Sequence, residues 1–189
     1  MPARPRQDEG VAGGSADFGL TLDELRAVAR FAAESARAVL PLYEEAVPGD
    51  GRPGAAVDAA LVFADGAPRT NRQRLAAAAA HRSAAVAPDE ASRLAAGAAG
   101  DAAAAAYLHP LSRASQVGHI LRAAARAAHA AELHAGGRDG VAESLVEQAA
   151  QRAGPVVIDV LRRYPSAAAG RNRTAQLMAS LDAALRGSA

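Results

Sequence analysis

The residues best suited to bind a metal ion lie in the short segment HAAELH, which runs from His129 to His134. Imidazole and carboxylate groups are zinc ligands, and a zinc site needs three or four of them converging on one point. On a helix, His129 and Glu132 share a face, whereas His134 lies about 140° around the helix from His129. The spacing therefore favours a solvated helix end. A metal site that uses His109, His119 or His129 is the alternative.

Basic residues form a stripe on the same stretch of chain, with members that recur every three or four positions: His119, Arg122, Arg126 and His129. Such a stripe could bind phosphates or an acidic partner. It equally matches the solvated face of an amphipathic helix, which needs charge on one side in any case, and we expect this second arrangement. A second basic cluster lies earlier in the chain: Arg69, Arg72, Arg74 and Arg82. It contains no aromatic residue, so nothing in it indicates stacking on bases.

The segment AYLHPL, residues 106–111, interrupts two alanine-rich stretches. Because Pro110 disfavours the α conformation for the residue before it, the preceding helix is expected to end near Tyr107. Ser112 could cap the next helix, which is expected to run to about Ala135. The His109 imidazole is expected to bond the unpaired carbonyl groups of the helix end, and a functional role for it is the alternative. This corner is a candidate contact surface.

Several kinds of chemistry are excluded by residue types that are missing. The chain has no cysteine, which excludes disulfides and thiolate catalysis. All 21 lysine-plus-arginine positions are arginine, so a phosphate-loop lysine and a Schiff-base lysine are also excluded. We find no nucleophile elbow and no readable carboxylate pair. We therefore predict no catalytic residue, no metal ligand, no cofactor and no enzyme activity.

The composition predicts an all-α fold. Of 189 residues, 55 are alanine, the strongest helix former, and β-branched and aromatic residues are scattered. Small side chains let helix axes approach to about 8 Å, so an alanine-rich core can still be close-packed. The expected architecture is a single alanine-rich bundle of about seven to eight helices. The formal net charge of +1 gives no strongly basic surface of the kind that dedicated nucleic-acid binders carry.

Capping signals mark several helix starts. Thr21 and Glu24 have capping-box spacing, Thr70 or Asn71 could cap a second helix, and Asp89 begins a third. A glycine inside a helix costs about 1 kcal/mol relative to alanine, so the two glycines at positions 97 and 100 are expected to weaken or break the third helix.

The domain boundaries follow from composition. Residues 1–19 are expected to form a disordered tail and residues 20–186 one helical domain, with residues 141–186 as its possible extension. No apolar run approaches the roughly 20 residues that a membrane helix needs, so no membrane contact is expected. The start has no apolar segment of a secretory signal, and together with the lack of cysteine this leads us to expect a cytoplasmic location.

Three segments in order, LTLDELRAVARF, FADGAPRTNRQR and AYLHPLSRASQVGHIL, carry a resemblance to a known family. Residues from about 20 to about 133 resemble the immunity-five-like family of actinobacterial immunity proteins, and the tail VIDVLRRYPSAAAGRNR is similar to members of that group. The resemblance implies an all-helical, cytoplasmic protein of a toxin–immunity system. It carries no established catalytic or ligand residues. Arg122 stands where a small residue would be expected, which would alter the specificity of that face.

On these grounds we expect a non-catalytic helical binder that neutralises a cognate bacterial toxin by protein–protein contact. The candidate contact residues combine the corner and the stripe: Tyr107, His109, His119, Arg122 and Arg126. The alternative is a helical regulatory module that binds nucleic acid or another protein through the cluster from Arg69 to Arg82, although the near-zero net charge does not favour nucleic acid. The sequence leaves the oligomeric state open.

Overall fold

The computed structural model describes residues 18–168 and 170–188, and every regular element in this part of the chain is helical. The all-α prediction is confirmed. The expected tail lies outside the described residues up to residue 17. The described helices are α1 (Leu22–Arg37), α2 (Leu40–Ala46), α3 (Arg52–Ala64), α4 (Asn71–Val86), α5 (Glu90–Ala104), α6 (Val117–His134), α7 (Val141–Arg152), α8 (Pro155–Arg162) and α9 (Arg173–Gly187).

Local capping chemistry places the helix starts as predicted at three positions. The Thr21 hydroxyl accepts from the Glu24 N–H while the Glu24 carboxylate accepts from the Thr21 N–H. Thr70, rather than Asn71, forms the equivalent capping box for α4. The Asp89 carboxylate accepts from the Ser92 N–H and begins α5. Each cap satisfies donors that a helix start would otherwise leave unpaired.

Helix α5 lies at the centre of the bundle, because it packs against α1, α3, α4 and α6 and eleven of its 15 residues are buried. The predicted break at Gly97 and Gly100 is wrong, since α5 continues through both. A Cβ at Gly97 would lie 2.8 Å from an Arg126 nitrogen, and one at Gly100 would lie 2.7 Å from the His81 ring. The glycines therefore leave room for two side chains of neighbouring helices to lie directly across α5.

The corner after α5 is built largely as expected. A 3₁₀ turn, Ala105–Tyr107, ends the helix, and a second 3₁₀ turn, Ala114–Gln116, leads into α6. Ser112 is therefore not the cap of α6, because the chain forms a 3₁₀ turn before Val117 and the helix begins five residues after Ser112. The predicted cap is wrong because the sequence contains no strong local signal for the second 3₁₀ turn. That turn depends on contacts across the corner.

Two distant segments hold this corner in place. The Tyr164 hydroxyl donates to the His109 carbonyl at 2.8 Å, and the His109 N–H donates to the Gln116 side chain at 3.0 Å. The Phe18 ring lies edge-on against Tyr164, with the ring centroids 4.9 Å apart. The His109 imidazole itself is exposed, so it is the backbone of this residue that makes the structural bonds.

A buried tyrosine ties the loop after α2 to the core. Tyr43 is fully buried, and its hydroxyl donates to Asp50 at 2.6 Å. The Arg52 guanidinium donates two hydrogen bonds to the same carboxylate, at 2.6 and 2.7 Å, and with Tyr43 it holds the pKa of Asp50 well below its usual range. Asp50 is thus part of the scaffold rather than a freely solvated loop residue.

We expect Tyr43→Phe to lower the free energy of unfolding by about 1–3 kcal/mol, since it removes a hydrogen bond to a charged group in a buried place. Urea denaturation measures the change. Glu44→Ala, at the exposed neighbouring position, serves as the control and should stay within about 0.5 kcal/mol of wild type. Equal stabilities of the Tyr43→Phe and Glu44→Ala variants would contradict this role of the hydroxyl.

Candidate functional site: an arginine–aspartate cluster on helix α5

A carboxylate lies buried at the centre of the bundle. Asp101, on α5, has a side chain that is only 1% exposed. Two arginines one turn apart on α6 pair with it: the Arg122 Nε and Nη2 atoms lie 3.0 and 2.9 Å from Oδ1, and the Arg126 Nη1 atom lies 2.8 Å from Oδ2. A buried charge is tolerated only when it is paired, so Asp101 fixes where both guanidinium groups lie.

The cluster connects three helices. The Arg126 guanidinium also donates to the Gly97 carbonyl at 3.0 Å, which the missing Cβ permits. From α4, the His81 Nε2 atom lies 3.7 Å from Asp101 Oδ1. We call this group the Asp101 cluster; its members are Asp101, Arg122, Arg126 and His81. The cluster therefore joins α4, α5 and α6 at the surface where Gly97 and Gly100 leave room for side chains.

Two histidines at this site have lowered pKa values: His81 within the Asp101 cluster and His119 beside it. His119 lies one turn before Arg122, and its buried Nδ1 atom forms no hydrogen bond with a described residue. Burial lowers the pKa of His119, and the nearby Arg122 charge lowers it further. Burial also lowers the pKa of His81, where Asp101 opposes the shift and the two arginines add to it. At neutral pH the arginines are thus the fixed positive charges of the cluster.

These shifts predict a loss of stability in weak acid. An unfolded histidine has a pKa near 6.5, and the folded protein holds His119 below that value, so the unfolded chain binds the proton more readily. The free energy of unfolding should therefore fall as the pH drops below about 6.5. Urea denaturation at about pH 7.5 and about pH 5.5, where carboxylates remain ionised, measures the loss.

His119→Gln should retain less of this pH dependence than the wild type, because it removes one of the titrating groups. A wild-type protein equally stable at both pH values, or more stable at the lower one, would show that burial does not hold these histidines neutral.

Two open pockets flank Arg126, and together we call them the Arg126 groove. The first has a volume of about 350 Å³ and is bounded by α5, α6 and α9 through Arg122, Arg126, His129 and Met178. The second, of about 330 Å³, lies between α4 and α5. Glu90, Leu94 and Arg126 line both pockets. The groove places one guanidinium group at the centre of a concave, mostly apolar surface.

The structure brings only some of the predicted contact residues together. Arg122 and Arg126 pair with Asp101, and His119 lies one turn before Arg122 on α6. The expectation of a solvated face is wrong for the two arginines, which are 38% and 27% exposed and ion-paired. They are held at α5 because a lone buried carboxylate needs them there. His109 is exposed, whereas His119 is partly buried.

Tyr107 faces the other basic cluster instead. Its hydroxyl donates to the Thr70 carbonyl at 2.6 Å, and the Arg74 guanidinium lies 4.6 Å from the ring centroid. Arg69 donates to the Ala106 carbonyl at 3.1 Å and lies 5.5 Å from the same centroid. Two of the four arginines of that cluster are therefore engaged within the protein.

The HAAELH segment does not converge on one point. His129 bonds the Thr174 hydroxyl at 2.9 Å, Glu132 takes two hydrogen bonds from Arg173, and His134 is exposed. Glu132 is thus an ion-pair partner that fastens α9 to α6. In the described part of the chain, no group of three or more His, Cys, Asp and Glu side chains has the arrangement of a metal site.

Sequence reasoning missed Asp101, although a signal for it exists. In the segment between Arg93 and Arg113, Asp101 is the single acidic residue and there is no arginine. Alanine and glycine lie on both sides of Asp101. A carboxylate on such a helix must lie in the core when the helix packs on all sides, and it then needs a cation. Arg122 and Arg126, four residues apart on the next helix, are the matching pair.

Comparison with known protein families shows which family this chain belongs to. A family model described as "Imm-5 like putative immunity protein" matches residues 20–154. The chain belongs to this family. The match covers α1 to α7 and includes every residue of the Asp101 cluster, whereas α8 and α9 follow it.

The other comparisons add no relative, since no curated protein and no solved structure gives a significant match. Within the described residues, no helix has the length and apolarity to cross a bilayer. The family membership and the cluster geometry therefore carry the functional argument.

Proposed function

We propose that the protein is an immunity protein that neutralises a cognate bacterial toxin by direct protein–protein contact, without performing a reaction, in the cytoplasm. The match of residues 20–154 to the immunity family is the observation that carries this proposal. Binding requires a preformed surface with a few well-placed anchors rather than a reacting group. The rigid, alanine-packed bundle is suited to present such a surface.

The Arg126 groove is the face that we propose for this contact. Arg126 is central to it, and Asp101 already fixes the guanidinium, so little side-chain entropy is lost on binding. The two arginines outnumber the Asp101 carboxylate, and Glu90, which lines both pockets, is ion-paired with Arg93. The groove therefore favours an acidic group of the toxin. Arg122 and Arg126 would contact the partner, His109 and Tyr107 would extend the surface at the corner, and the partly buried His119 would support Arg122.

Co-expression with the product of a neighbouring toxin gene tests the proposal. The expected result is growth of cells that the toxin alone arrests, together with a one-to-one complex on size-exclusion chromatography. Absence of both protection and complex formation with that toxin would overturn the proposal.

A further inference from the structure

The outer face of α4 exposes the two least covered large apolar side chains of the described residues. Leu75 is 62% exposed and Val86 is 67% exposed. Single exposed apolar residues are common on protein surfaces, but two on one helix face call for an explanation of what covers them.

Their spacing places them on one line. Leu75, Arg82 and Val86 are seven and four residues apart, which aligns them along the helix within about 40°. The distance from Leu75 to Val86 along the axis is about 16 Å, from eleven residues at about 1.5 Å each. The small side chains of Ala78 and Ala79 lie between them and would permit a close approach.

The same face is basic. α4 contains three arginines and no acidic residue. The guanidinium groups of Arg72 and Arg82 form no hydrogen bond or ion pair with a described residue, and both side chains are exposed. The α4 outer face, defined by Arg72, Leu75, Arg82 and Val86, therefore combines apolar anchors with positive charges that have no counterion among the described residues.

We propose that the α4 outer face binds an acidic surface of the toxin whose own apolar side chains pack on Leu75 and Val86. This inference rests on the proposed immunity function and extends its contact surface. A second copy of the chain is a poor occupant, because two such faces would oppose arginine to arginine. Nucleic acid is a poor occupant as well, since phosphates gain nothing from the two apolar side chains and no aromatic ring lies between them.

The α4 outer face and the Arg126 groove form one continuous surface. Ala85 and His81 of α4 line the groove, and each directly precedes a residue of the outer face. A stable protein–protein interface covers about 800 Å² on each partner, more than one helix face provides. The groove and the outer face together meet this need better than either does alone.

Two double variants test the inference by titration calorimetry against the purified toxin. Leu75→Ser with Val86→Ser removes the apolar anchors, and Arg72→Glu with Arg82→Glu reverses the charges. Each should weaken binding by at least about 10-fold, and the charge reversal should also reduce the dependence of the Kd on salt. All four positions are exposed, so circular dichroism should show an unchanged fold.

Matched controls lie on other faces. Val156→Ser, on α8, replaces a large apolar side chain that is also exposed, and Arg37→Glu reverses an exposed charge at the end of α1. Both should leave the Kd within about 3-fold of wild type. If the wild-type protein fails to bind the toxin, the proposed function falls and the inference with it. If wild type binds and both α4 variants bind equally well, the inference alone is overturned.

Two further results would also overturn the inference. Wild-type binding to a short DNA duplex at about 50 mM salt that is lost with the charge reversal but kept with the serine pair would assign the face to nucleic acid. A wild-type dimer, seen by light scattering and dissolved by the serine pair, would assign it to a second copy.

Discussion

Replacing Arg122 and Arg126 together by alanine is expected to lower the free energy of unfolding by about 3–5 kcal/mol. The double variant leaves the Asp101 carboxylate buried with only His81 nearby, at 3.7 Å. The desolvation that the two guanidinium groups now offset would then oppose folding. Urea denaturation with a common baseline for all variants measures the loss.

Removing the carboxylate as well should restore stability. In the triple variant with Asp101→Ala, the cluster no longer holds a buried charge, and we expect at least about half of the lost stability to return. Arg82→Ala, at an exposed arginine without an ion pair to a described residue, should cost at most about 0.5 kcal/mol. A triple variant as unstable as the double variant would show that the arginines stabilise by packing rather than by pairing with Asp101.

Filling the groove without disturbing the cluster is expected to abolish most of the toxin binding. Ala85 is exposed on α4 and lines the pocket of about 330 Å³ beside Arg126. An indole at this position would occupy space that the partner needs, so Ala85→Trp should weaken the complex by at least about 100-fold. The Kd from titration calorimetry against the toxin gives the effect.

Ala184→Trp is the matched control, because Ala184 is exposed on α9 and does not line either pocket of the groove. Its Kd should remain within about 3-fold of wild type. Both tryptophan variants should unfold at similar urea concentrations, so that a loss of binding is not a loss of folding. Wild-type affinity in the Ala85→Trp protein would rule out the groove as the contact face.

Features governed by local chemistry could be predicted from the sequence. The Thr21 capping box, the Asp89 cap and the end of α5 near Tyr107 depend on residues within a few positions of one another. The all-helical class follows in the same way from alanine content. These local signals can be recognised without knowing which helices pack against each other.

Features that depend on helix packing could not be predicted in this way. Gly97 and Gly100 look like weak points of α5 until the Arg126 and His81 side chains are found lying across them. Arg122 has the spacing of a solvated face, and only its position beside the buried Asp101 shows that it is ion-paired. In both cases the sequence does not indicate which surface of α6, or of α4, packs against α5.

For the candidate contact residues, too, the sequence predicts some properties and not others. The sequence indicates the stripe residues Arg122 and Arg126 and the corner at Tyr107 as contact residues, but it predicts that the stripe and the corner share one surface. In the structure the Tyr107 ring lies against Arg74 of α4, whereas the two stripe arginines of α6 lie against Asp101 of α5. The ring and the stripe therefore have different neighbours, which no spacing within one segment could indicate.

Hydrogen–deuterium exchange of the protein with and without its toxin locates the contact surface without any substitution. We expect slower exchange in peptides from α4 and α6, which border the Arg126 groove, and unchanged exchange in α2 and α8. Protection confined to α2 and α8, with α4 and α6 unchanged in a saturated complex, would contradict this expectation.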